Sequence, residues 1–145
     1  AGLIAAARGR LPATRVTGVI VARPASELRP ATESMLADLA DRAAPSGASP
    51  ANAGAATMTS AVNADSGPAI DFDEGQLGDG YGRPTAAATE AAELLARAEG
   101  ILTDPIYTAK ALAGLIASVR SGAWNGERIV FWHAGGLPGI FEPLD

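Results

Sequence analysis

Cysteine is absent from this chain of 145 residues, which removes disulfides, thiolate nucleophiles and Cys-type zinc sites together. A single histidine argues against a His-rich metal site, so no metal is expected. Aromatic residues make up only 5% of the chain, and the core must therefore be filled by Ala, Leu, Ile and Val in close packing. Basic residues are also short: 11 against 16 acidic ones leave a net charge of −5, which opposes capture of a phosphate backbone and excludes nucleic acid as a partner. No apolar run approaches the roughly 18 residues that a membrane span requires, so the chain reads as soluble, and a reducing cytoplasm suits it.

What is present is enough for one ordinary domain, since 48% hydrophobic residues can build a core of that size. Residues 1–8 are good helix formers, with Gly9 placed to stop them. Val16, Val19, Ile20 and Val21 form a β-branched run typical of a strand buried on both faces. After Pro24, a helix is expected from Ala25 or Ser26 to before Pro45, with Pro30 near its first turn and Leu28, Met35, Leu36 and Leu39 at helical spacing. Residues 45–69 mix Pro, Gly, Ser, Ala and Asn without periodicity and read as a long loop or disordered insertion.

Ile70 and Phe72 alternate with Asp71 and Asp73, as in a short strand, and a glycine-rich loop follows over 75–84. Thr85 suits the N-cap of a helix that Gly100 closes. Between Tyr107 and Arg120, Ala111, Leu112, Leu115, Ile116 and Val119 make one apolar stripe. Arg128 to His133 carries Ile129, Val130, Phe131 and Trp132 and reads as an interior parallel strand. Helices alternate with strands throughout, so the expected class is α/β.

Four stretches together carry a resemblance: TGVIVARPASELR (17–29), LGDGYGRPT (77–85), EGILTDPIYTAKALAGLI (99–116) and IVFWHAGGLPGIF (129–141). They resemble the pyridoxal-phosphate-dependent family that holds D-cysteine desulfhydrase and 1-aminocyclopropane-1-carboxylate deaminase. The third stretch is the most specific, and the fourth supports it in the expected order. The resemblance covers nearly the whole chain apart from 45–69. It implies the three-layer, parallel-sheet α/β fold of the tryptophan synthase β subunit (fold type II), with residues 1–145 as its C-terminal portion. The Schiff-base lysine and the phosphate loop would then lie upstream, in an N-terminal part missing from this chain, and the full-length enzyme would be a homo-oligomer.

The implied cofactor is pyridoxal 5′-phosphate and the implied substrate a small amino acid. Most simply this is D-cysteine, eliminated to pyruvate, ammonia and sulfide, with 1-aminocyclopropane-1-carboxylate and cysteate as neighbouring substrates. A reading of another class is a catalytically silent half-domain, which the missing upstream part favours for this polypeptide by itself.

By resemblance Tyr107 and Tyr81 are the catalytic residues, Tyr107 moving a proton or holding the substrate and Tyr81 approaching from its loop; taken singly, each is equally a surface or packing tyrosine. Thr108 matches the position near the pyridine nitrogen, where typical aminocyclopropane-carboxylate deaminases carry glutamate. A hydroxyl cannot keep that nitrogen protonated as a carboxylate can, which favours elimination over ring opening; an isolated Thr there is otherwise an ordinary helix-start residue. Gly135 and Gly136 let the backbone approach the ring, although glycines also follow strands because the chain must turn. Ala134 stands where relatives often carry a hydroxyl. Lys110, the only lysine, is assigned a structural or electrostatic role, and His133 a hydrogen-bonding one.

Overall fold

The computed structural model describes residues 1–11, 13–43 and 70–135. The stretch 45–69 and Gly136 thus lie outside the described residues, along with the readings placed on them. The elements in chain order are α1 (Gly2–Arg10), β1 (Thr17–Val19), α2 (Ala25–Ala43), β2 (Asp71–Asp73), α3 (Ala86–Glu99) and α4 (Thr108–Arg120). β1 and β2 pair in a small parallel sheet, so the class is α/β. The chain divides into two compact units: Ala1–Gly18 with Ala25–Phe72, and Val19–Pro24 with Asp73–Asp145.

In the first unit, α1 runs through Gly9 rather than stopping there. It ends at Leu11, whose backbone leaves the helical region (φ −138°, ψ 62°), because the residue before a proline is pushed away from α. α2 starts at Ala25, as expected, and continues past Pro30, its sixth residue. A proline there removes one ladder bond at a cost of about 3 kcal/mol, which packing must offset. That packing is a cluster of Ile4, Ala5, Leu36 and Ile70, with Val16, Ala40 and Phe72 against it. Of the four α2 residues at helical spacing, only Leu36 is buried; Met35 and Leu39 are exposed. Arg29 ties the unit together, donating to the Ile70 carbonyl at 3.1 Å and lying 5.3 Å from the centre of the Phe72 ring.

The second unit is built on α3 against α4. Thr85 caps α3 as expected, accepting from the Ala88 N–H at 3.1 Å, and Gly100 closes it in the left-handed region at φ 68°. Ala91, Leu112 and Ala113 form the contact, with Leu95, Leu115, Ile116 and Phe131 packed on it. An Arg120–Glu90 ion pair of 2.6 Å bridges the two helices on the surface. Gly114 allows Val19 to approach, since a Cβ there would lie 2.9 Å from a Val19 methyl. Residues 128–133 correct the sequence reading. They form no strand ladder: Val130 and Trp132 are exposed, and only Phe131 packs inward. An interior strand needs a hydrogen-bonded neighbour on each side, and among the described residues this segment has none.

Candidate active site

The start of α4 brings most of the candidate residues to one place, within the second unit. Asp104, only 1% exposed, organises it. Its carboxylate accepts from the backbone N–H groups of Ile106 (3.0 Å), Tyr107 (2.5 Å) and Thr108 (2.8 Å), and from the Thr108 hydroxyl. Its main-chain carbonyl takes the Ala109 N–H at 3.0 Å. The first N–H groups of any helix have no partner within it, and here one carboxylate serves them while its charge faces the positive end of the helix dipole. Burial pushes the Asp104 carboxyl up, but the hydrogen bonds from Thr108, Tyr107 and Ile106 outweigh it and hold the group below its ordinary value.

Tyr107 is fixed by this arrangement just ahead of α4, its ring half-exposed. Tyr81 reaches it from the 77–82 loop: the two hydroxyls hydrogen-bond to each other, and the rings meet edge to face at 6.0 Å and 61°. In such a pair one phenol donates and the other accepts, and either hydroxyl can take either part. The structure thus brings together two residues 26 positions apart in the sequence.

Thr108 lies beside them, and its hydroxyl is also 3.2 Å from the Gly135 carbonyl, so Gly135 joins the same neighbourhood. Gly136 lies outside the described residues. His133 and Ala134 are exposed, and His133 meets the Phe131 ring edge to face at 6.4 Å. Among the described residues no three metal-ligating side chains are grouped to hold an ion, and no helix is long and apolar enough to cross a membrane.

Two residues exceed what the sequence conveyed. Asp104 was part of a quoted motif but had no role, although an Asp before a proline at a helix start, with a hydroxyl four residues on, is the pattern of a side chain that bonds its own following backbone. Lys110 is fully buried, its ammonium donating to the carbonyls of Leu77 (3.0 Å) and Gly80 (3.3 Å). Burial pushes its amine below the ordinary lysine value, against the opposing influence of the Asp79 carboxylate.

Comparison with known proteins follows this geometry. The D-cysteine desulfhydrase of Salmonella paratyphi C is 33% identical over 142 residues, which are 97% of this chain and 38% of that protein. That of Salmonella typhi is 49% identical over 63 residues, 43% of this chain and 19% of that protein. The chain therefore spans well under half the length of the curated relatives it matches. The family model described as pyridoxal-phosphate dependent enzyme matches residues 1–135, and the chain belongs to that family.

Proposed function

We propose that this chain supplies part of the active site of an enzyme that eliminates sulfide from a small amino acid, D-cysteine in the first instance. In that reaction D-cysteine and water yield pyruvate, ammonia and hydrogen sulfide. On this reading the two units belong to the three-layer, fold type II architecture. The observation that carries the proposal is the Tyr81–Tyr107 hydroxyl pair beside Thr108.

The residues present fit the cofactor's needs at its ring. The Thr108 hydroxyl lies 3.2 Å from the Gly135 carbonyl, and a Cβ on Gly135 would meet nothing within 4 Å, so the backbone there is open to the approach of a flat ring. Pyridoxal phosphate supplies an electron sink for the carbanion character that develops at the substrate α-carbon. The chain's residues do the rest. Tyr107, held by Asp104, presents its phenol oxygen at a fixed point and moves or holds a proton there. Tyr81 shares that proton through the direct hydrogen bond and binds the substrate or its leaving thiol.

Thr108 is neutral, with its hydroxyl against the Asp104 carboxylate and the Gly135 carbonyl; toward a pyridine nitrogen it brings no formal negative charge that would hold a proton there. That suits elimination, in which a good leaving group departs from the β-carbon, better than opening a cyclopropane ring, which needs stronger electron withdrawal. Lys110 is not the lysine that holds the cofactor, because its amine is buried and directed to Leu77 and Gly80.

The test is turnover by the full-length protein of D-cysteine, cysteate and 1-aminocyclopropane-1-carboxylate, followed by release of sulfide, sulfite or ammonia and of the keto acid. D-Cysteine is expected to be turned over fastest, and Tyr107→Phe to lower kcat by about 100-fold or more, the usual scale for a positioned proton-transfer group. Preference for 1-aminocyclopropane-1-carboxylate would replace the substrate assignment, and inactivity on all three would reduce it to a likeness of fold.

A further inference from the structure

The chemistry above leaves one buried charged side chain without a part. Lys110 lies on α4 among Ala109, Leu112, Ala113 and Gly114, where a leucine or methionine would pack at no electrostatic cost. An apolar side chain cannot, however, make two directional bonds to carbonyls three residues apart. We propose that Lys110 is a positioning residue whose ammonium clamps the 77–82 loop by the carbonyls of Leu77 and Gly80, and so sets the Tyr81 phenol against Tyr107. The role rests on the two tyrosines being the proton-handling pair.

The geometry makes the clamp specific. The Gly80 carbonyl belongs to the peptide unit that leads into Tyr81, so a bond to it fixes the plane from which the Tyr81 side chain departs. Gly78 and Gly80 have positive φ (62° and 124°), conformations that a loop of this composition adopts freely but does not enforce by itself. Tyr107 leaves the chain three residues before Lys110, just ahead of the same helix. Both phenols are therefore referenced to α4, Tyr107 by covalent continuity and Tyr81 through the ammonium. Burial disfavours the charged amine, and Asp79, in the same loop, opposes that effect and so supports the charged form that makes the clamp strong.

The test is a double-mutant cycle in the full-length protein, Lys110→Met with and without Tyr81→Phe, read by D-cysteine kinetics and by the rate of chymotryptic cleavage after residue 81. Lys110→Met should lower kcat by about 10- to 100-fold with KM changed much less, but by less than about threefold when Tyr81 is already Phe, the non-additivity expected of residues acting as one unit. Cleavage there should quicken by at least about tenfold while the amides of Leu112 and Ala113 keep their exchange protection, which reads the clamp without any turnover. Lys110→Arg, which keeps the charge and donors, should restore most of the resistance to cleavage.

Equal losses in the two backgrounds, or an unchanged rate of cleavage after residue 81, would overturn the proposal. Should Lys110→Met not fold, Lys110→Gln, one atom too short to span both carbonyls, enters the same cycle with the same criteria. Faster cleavage of the variant in a protein that never acts on D-cysteine would keep the clamp and discard the substrate assignment. Normal turnover with an unchanged cleavage rate would do the reverse.

Discussion

Replacing Asp104 by alanine isolates the group on which the candidate site is built. The substitution removes the acceptor for three backbone N–H groups at 3.0, 2.5 and 2.8 Å and for the Thr108 hydroxyl. Loss of a helix-capping side chain costs about 0.5–2 kcal/mol, and a hydrogen bond to a charged group contributes about 1.5–3 kcal/mol net. These contributions overlap, because the freed N–H groups turn partly to water, and about 2–4 kcal/mol against local opening is the reasonable sum. At about 1.4 kcal/mol per decade this is a 30- to 700-fold rise in the opening equilibrium.

Native-state hydrogen exchange reads it directly. The amides of Ile106, Tyr107 and Thr108 come ahead of the helical ladder and donate to the Asp104 carboxylate, whereas those of Leu112 and Ala113 lie within α4 and serve as controls. Asp104→Asn keeps one acceptor oxygen but turns an NH2 toward the Thr108 N–H, and should fall between wild type and alanine. Exchange at Tyr107 and Thr108 within threefold of wild type in Asp104→Ala would refute the reasoning.

The same carboxylate gives a pH signature. Its folded pKa lies below its unfolded value, so its stabilisation is present above the unfolded pKa and is lost as pH falls through the lowered one; acid titration should therefore release the Tyr107 and Thr108 amides below the ordinary carboxylate range, and the Asn variant should lack that step. Thr85→Ala removes the acceptor for the Ala88 N–H and should weaken the first turn of α3 by about 1 kcal/mol, seen as roughly fivefold faster exchange there. Gly114→Ala places a methyl 2.9 Å from a Val19 methyl and 3.0 Å from an Asp73 oxygen, and overpacking of this kind should cost about 1–3 kcal/mol in chemical denaturation of the full-length protein, whereas an unchanged midpoint would mean that Val19 yields freely.

Local chemistry was legible in the sequence wherever one short segment decides the outcome. Thr85 with its hydroxyl and Gly100 with no side chain to hinder a positive φ bound α3, and the alternation about Phe72 marked β2. Properties that depend on distant partners were not. Met35 and Leu39 fit the helical period of α2, yet period says only which residues share a face, not how much of that face is covered. Gly9 lost to Pro12 as the stop for α1, because a glycine permits termination whereas a proline restricts the residue before it. At the site, the motif around Tyr107 pointed to the start of α4, but the meeting of Tyr81 with Tyr107 needs the loop to be folded back. The ammonium of Lys110 that bonds this loop is invisible in a pattern that takes lysine for a solvated residue.

The segment around Val130 and Trp132 has a consequence for handling the protein. Val130 is 85% and Trp132 65% exposed, while the intervening Phe131 is anchored on the α3–α4 contact. An indole so placed is a natural optical gauge: its fluorescence should shift to the blue when another surface shields it from water, and stay red while it is wet. Once Trp124, the other indole of this chain, is replaced by phenylalanine, association along this stretch can be followed by light, without a label and without perturbing the tyrosines.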